Sequence, residues 1–302
     1  MRHCAQFVMV LVAVYLACAC TKAVDPGRFQ ASDTSLKQPA CEGQSRFLQG
    51  LPSGFLVPHA SNDLEVRLLA TYGAVLLARG GTTPPPLLVF PDEASVARWQ
   101  SSLRTDRVRI GEVVVELQPP ALKALQEARA EAQRKGLEVT ARGPDSSRRT
   151  YANTVRLWKS QVEPGLNHWV KKGRLTAQQA ATIGGLPPRD QVAEILRLEE
   201  KGLYFNRNFS RTILSSVAPP GVSQHLSLLA LDVKEHEDPT VRSILARHGW
   251  FQTIPFDLPH FVYLGSSEQQ LASLGLRRVS AGRRQLWVPA VNCSDLKPQG
   301  KE

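Results

Sequence analysis

The chain has 302 residues and a formal net charge of +10. That length holds one catalytic domain and a smaller appendage, and excludes a miniature scaffold that must be stapled in order to fold. The basic balance suits an anionic cell envelope, but no basic cluster is interleaved with aromatic residues, so no nucleic-acid partner is expected.

Arg2 and His3 precede an apolar run from Phe7 to Ala19. The run is too short to span a bilayer and has the size of a secretory h-region, with small residues at Ala17 and Ala19 for cleavage. Residues 1–20 therefore read as a signal peptide, and export to the periplasm, cell envelope or medium is expected. Membrane contact is expected only through a retained signal anchor or a lipid on Cys20. Of the five cysteines, Cys4, Cys18 and Cys20 belong to this segment, which leaves Cys41 and Cys293. An even pair in an oxidising compartment is expected to close a disulfide between the two ends of the folded part.

Residues 21–45 are polar, carry Pro26, Gly27 and Pro39, and read as a linker. Residues 46–112 read as a small N-terminal α+β subdomain. Within it Tyr72–Ala78 and Leu87–Phe90 are apolar runs that predict strands, and Asp92–Leu103 predicts a helix. Val108–Leu117 predicts a strand, with alternation clearest at Val113, Val115 and Leu117.

Residues 113–265 come next. A helix opens at Pro119 and Pro120, lines one face with Leu122, Leu125, Ala128 and Ala132, and closes at Gly136. Leu137–Ala141 is the next predicted strand. Helices follow over Thr150–Val162, Thr176–Ile183 and Arg189–Lys201, an insertion placed to wall a cleft, with plain packing as the alternative. A helix over Asp238–His248 then leads to strands at Trp250–Ile254 and His260–Leu264. Residues 266–302 add a short helix and a basic hairpin, Leu276–Val279 with Arg284–Val288.

The chemistry gathers in two stretches. Ser223-Gln-His-Leu-Ser-Leu-Leu-Ala-Leu-Asp232 holds one imidazole and one carboxylate, and Asp257-Leu-Pro-His-Phe261 holds another of each. His225, Asp232 and His260 offer the donor types of a catalytic zinc, two nitrogens and one oxygen, with a fourth position left for water. Asp257 stands where a general base is wanted. The plainer alternative makes Ser223 the cap of a buried helix through Leu226–Val233, with His225 and Asp232 on one face. His59, His168, His236 and His248 have no partner spacing and are not assigned to metal.

The segment Pro220-Gly-Val-Ser-Gln-His-Leu-Ser-Leu-Leu-Ala-Leu-Asp232 resembles the P-G-x-S-x-H-x-x-G-x-A-x-D signature of VanY-type zinc D-alanyl-D-alanine carboxypeptidases. Asp257–Phe261 is similar to their E-x-W-H-F, and Ser146-Ser-Arg-Arg-Thr-Tyr151 to their S-G-Y-R-S-Y, in the same chain order. The resemblance implies one zinc per chain on His225, Asp232 and His260. It implies Asp257 as the base and Arg149 as the arginine that steadies the substrate's oxyanion or carboxylate. Tyr151 and Ser223 are the further substrate-binding residues it implies. The expected fold is α+β, with a mixed or antiparallel sheet carrying the ligands and helices packed on one face. The expected activity is a D,D-carboxypeptidase acting on peptidoglycan stem peptides. An endopeptidase of the same family and a non-catalytic metal-binding envelope scaffold are the alternatives.

Three departures from the signatures bear on the site: Leu228 replaces a glycine, Asp257 a glutamate and Pro259 a tryptophan. Residues seven apart in an uninterrupted strand point to opposite faces. His225 and Asp232 therefore meet only if the chain bends between them, and Leu228 stands where glycine eases such a bend.

Overall fold

The computed structural model describes residues 46–59, 62–282 and 284–291. The expected signal peptide, most of the linker, Cys41 and Cys293 lie outside the described residues. The chain begins with α1 (Arg46–Gln49) and α2 (Asp63–Tyr72), and α2 runs directly into a 3-10 helix, Gly73–Leu77. The expected strand at Tyr72–Ala78 is therefore helical. All five residues of the 3-10 turn are buried, and a run without a polar face carries no period to separate helix from strand.

Leu87–Phe90 is irregular rather than a strand. Its Phe90 N–H donates to the Gly221 carbonyl at 2.9 Å. Gly221 has φ +79°, and a Cβ there would lie 2.0 Å from the Phe90 carbonyl oxygen, so the crossing admits only glycine.

Next come α3 (Glu93–Ser102), β1 (Asp106–Ile110) and β2 (Val113–Leu117). The single strand expected from Val108 to Leu117 is thus an antiparallel hairpin, Ile110 opposite Val113. The amphipathic helix is present as α4 (Pro119–Arg134), with Ala121, Leu125, Ala128 and Ala132 fully buried. Leu137–Ala141, expected as a strand, makes only one bridge, Ala141 with Val233. Its neighbours extend the pairing, Arg142 N–H donating to the Asp232 carbonyl and Lys234 N–H to that of Thr140.

The three expected helices of the insertion are α5 (Tyr151–Lys171), α6 (Ala177–Gly184) and α7 (Pro188–Glu200). α5 runs past Val162 and through Pro164. Its buried face continues at Gly165 and Leu166, so packing outweighs the hydrogen bond that proline cannot donate.

The chain then supplies β3 (Ala230–Asp232), α8 (Pro239–Arg247), β4 (Trp250–Phe251) and β5 (His260–Tyr263). They form an antiparallel sheet in the order β3-β5-β4, with Asp232 directly opposite His260. α9 (Glu268–Leu271) and the hairpin of β6 (Leu276–Ala281) and β7 (Arg284–Pro289) complete an α+β fold.

Two apolar cores hold it. One packs Leu231, Trp250 and Phe261 of the central sheet against Leu125 of α4, Ile244 of α8 and Val115 of β2. The other joins Trp158, Val162, Ile195, Phe205 and Ile213 in the helical insertion. Each large side chain so buried contributes about 1.5–3 kcal/mol.

Candidate metal centre

His225 sits in a one-turn 3-10 helix, Gln224–Ser227, that ends at Leu228 in the left-handed region, φ +57° and ψ +31°. This is the bend that the spacing of His225 and Asp232 requires, and a leucine makes it. A left-handed residue with a Cβ costs about 1–2 kcal/mol. Three features hold it there. Leu228 is fully buried, its carbonyl accepts from the Gln118 N–H at 3.1 Å, and the Gln118 side chain donates to the Ser227 carbonyl at 2.9 Å. The alternative of a continuous capped helix does not form, and Ser223 makes no side-chain capping bond.

Beyond the bend, β3 delivers Asp232, and antiparallel pairing sets His260 beside it. His225 Nε2 lies 3.0 Å from His260 Nδ1, and each is 3.2 Å from Asp232 Oδ1. Tetrahedral ligands at ordinary zinc distances stand about 3.3 Å from one another, so these three atoms outline one face of such a site.

The opposite ring nitrogens are engaged elsewhere. His225 Nδ1 is 2.9 Å from the Ser147 carbonyl oxygen, and His260 Nε2 is 2.7 Å from Gln224 Oε1. Oxygens of these kinds only accept, so the hydrogens of two neutral imidazoles are spent there. What faces inward is three lone pairs and no donor, an arrangement that a cation resolves. The donor set fits zinc, and it is the one group of three metal-binding side chains among the described residues.

The electrostatics agree. Burial, with the Arg149 guanidinium adding, pushes the His225 imidazole down to about 4, which keeps it neutral at pH 7. Burial opposes ionisation of Asp232, yet the carboxyl lies well below its usual range, because it stabilises any inward proton that His225 or His260 carries while no cation is bound. Asp232 Oδ2 accepts from Arg149 Nη2 at 2.8 Å, and Arg149 Nε donates to the Asp145 carbonyl at 3.0 Å.

Asp257 is exposed as a residue, and partial desolvation of its carboxyl raises its pKa. His260 opposes that rise, the Asp232 charge adds to it, and Arg149 and Arg142 oppose it in turn.

These groups share a cavity of about 190 Å³, with Ser223, Tyr72 and Arg142 also in its lining. Leu157 of α5 and residues 214–218 form another part of the wall, so the insertion does reach the site. Tyr151 lines a separate groove with Phe90 and Pro220 and is not brought to the cavity. Tyr72, Arg142 and Gln224 join the lining beyond the residues of the motifs. Tyr72 arrives from a distant helix, Arg142 through its pairing with β3, and only Gln224, between Ser223 and His225, had a local signal. Among the unassigned histidines, His248 bonds to Glu131 Oε2 at 3.0 Å and His168 stacks on Phe209.

No known family model matches the sequence, and no curated protein matches it. Among solved structures, the chain is similar to a zinc-bound mutant of the vancomycin-resistance D,D-pentapeptidase VanY from a VanB-type resistance cassette. The two are 17% identical, with a TM-score of 0.30 over 54% of this chain and 79% of that chain.

Proposed function

We propose that the chain is an exported zinc-dependent D,D-carboxypeptidase that trims peptidoglycan stem peptides. The observation that carries this reading is the convergence of three bare donor atoms 3.0–3.2 Å apart, from the residues named by the motifs. Zinc, when bound, supplies a Lewis acid for the scissile carbonyl and acidifies the attacking water.

Asp257 then serves as the general base. Its raised pKa moves it toward the operating pH, where a carboxylate is a stronger proton acceptor. Arg149 balances the charge of Asp232 through Oδ2 and presents its remaining edge to the cavity, where it steadies developing negative charge on the substrate. Arg142 lines the same cavity and has no ion pair among the described residues. It is placed to receive the free carboxylate of a stem peptide's last residue. Ser223 offers a hydroxyl from the lining, while Tyr151, outside the cavity, has no part in this scheme. Export is taken from residues 1–20 alone, with the periplasm or cell envelope as the destination this reading expects.

The test is to incubate purified protein and zinc with defined stem pentapeptides and weigh the products. Loss of one terminal residue is expected, with one zinc per chain and none in His225→Ala. Asp257→Asn is expected to retain zinc and lose about 10²–10⁴-fold in turnover. Internal cleavage replaces the carboxypeptidase with an endopeptidase. A wild type that binds zinc but cleaves nothing, with Asp257→Asn indistinguishable from it in ligand binding, leaves the scaffold.

A further inference from the structure

We infer that Gln224 is a positioning residue for the metal: it holds His260 in the one tautomer that offers Nδ1 to a cation. This rests on the zinc reading of His225, Asp232 and His260, and adds to it the side chain on which the ligand set depends.

A glutamine amide has two unlike ends, and here each meets a partner that settles which end it must be. Gln224 Nε2 lies 2.8 Å from the backbone carbonyl oxygen of Tyr72, which can only accept. The nitrogen therefore belongs at Tyr72, and Oε1 belongs at His260 Nε2, 2.7 Å away. The reverse orientation would set two oxygens against each other at Tyr72. It would also turn the amide hydrogens on His260, reversing which of its nitrogens carries the proton. Thr253, with no solvent exposure, places its hydroxyl 3.5 Å from the same Oε1 as a further donor.

Because Gln224 Oε1 accepts, His260 Nε2 must carry the hydrogen. A neutral imidazole has one ring hydrogen, so Nδ1 keeps its lone pair. That lone pair faces His225 Nε2 and Asp232 Oδ1. Gln224 is 2% exposed and His260 also 2%, so water cannot readily substitute for either partner.

The two histidines are not held alike. His225 is oriented by a backbone carbonyl, that of Ser147, which no side-chain substitution removes. His260 is oriented by a side chain, and its anchor is the last residue of α2, 152 positions away. Gln224 is also the immediate neighbour of His225, so one dipeptide supplies one ligand and orients the other.

The experiment uses the full chain stripped of metal. Zinc affinity is measured by chelator competition for wild type, Gln224→Leu and Gln224→Glu, and the His260 tautomer is read by nitrogen NMR in the zinc-free proteins. Gln224→Leu is expected to weaken zinc by about 10–100-fold, the usual effect of removing a partner behind a histidine ligand. Its His260 should then show a mixture of tautomers. Gln224→Glu keeps the acceptor for His260 Nε2 but sets an oxygen against the Tyr72 carbonyl, so it should melt lower than wild type while keeping the Nε2–H form and most of the zinc affinity. A purely structural role would lower the melting temperature of both variants and leave zinc affinity and tautomer alone. Gln224→Leu binding zinc as wild type does, or zinc-free wild type carrying its hydrogen on Nδ1, overturns the inference. A wild type with Nε2–H that takes up no zinc overturns the zinc reading instead, and leaves the tautomer lock standing.

Discussion

The sheet side and the helical insertion meet at one cavity but are built on different principles. In the insertion, Trp158 and Val162 of α5, Ile195 of α7 and Phe205 of the loop that follows pack together, and the helices' hydrogen bonds are local. Beside the ligands, short elements are fixed by backbone bonds from remote stretches: Gln118 to Leu228, Ser146 to Asp232, Pro259 to Val233 and Leu229 to Tyr263. The contrast teaches that the wall depends on side-chain volume, whereas the metal geometry depends on register. A register slip moves every side chain to the other face, while a poorly filled helix interface costs stability and leaves the ligands where they are.

The strongest way to break this comparison is Trp158→Ala. The indole is 1% exposed and donates to Gln191 Oε1 at 3.0 Å. Its removal is expected to cost about 3–5 kcal/mol in denaturant unfolding. Zinc affinity of the folded protein should stay near wild type. If affinity falls in step with stability, the two cores act as one unit and the distinction fails.

A second test uses pH inside the helical core. Glu199 is 5% exposed and accepts from the Phe205 and Ile213 N–H groups at 3.1 and 2.6 Å. Burial raises its pKa above the ordinary 4.5, with hydrogen bonds from Thr212, Ile213 and Phe205 opposing. A carboxyl whose folded pKa is raised holds its proton more tightly when folded. The stability linked to that proton is fully present below about pH 4.5 and is lost as pH rises through the raised value. Glu199→Gln keeps the accepting oxygen but does not titrate, so its stability should fall less over that window. Chemical denaturation across pH 4 to 7 measures the difference, and parallel profiles would show that Glu199 ionises in the fold without penalty.

The same contrast explains what was legible in the sequence. α4, α7 and α8 announce themselves because apolar residues recur every three or four positions beside charged ones. The β6–β7 hairpin announces itself through its turn. The ligands were legible because a short motif needs only local order. The 3-10 turn at Gly73–Leu77 was not, since wholly buried residues erase periodicity. Nor was the pocket role of Tyr72, 152 positions from Gln224 along the chain. Arg142 was hidden differently: its place depends on pairing with Asp232, which no local pattern encodes. The engagement of Arg149 with Asp232 was likewise invisible until β3 and residues 141–149 were seen side by side.

The smallest effect is also the most discriminating, because it asks what Leu228 does at the bend. Leu228→Ala empties a fully buried site, and such truncations cost about 2–5 kcal/mol. Leu228→Gly removes one carbon more, so packing alone makes it the worse variant. The left-handed backbone argues for the opposite order. Alanine keeps the Cβ that costs about 1–2 kcal/mol in this region, and glycine does not. The extra freedom of glycine in the unfolded chain takes back about 0.4–1 kcal/mol. The glycine variant is therefore expected to match the alanine variant or exceed it by up to about 1 kcal/mol, with both retaining zinc. Paired urea melts with zinc titrations decide it. If the glycine variant is the weaker by a full kcal/mol, the left-handed turn costs leucine little, and Leu228 is selected for volume alone. If the order holds but zinc affinity drops in both, the leucine side chain itself braces the register that brings His225 to Asp232.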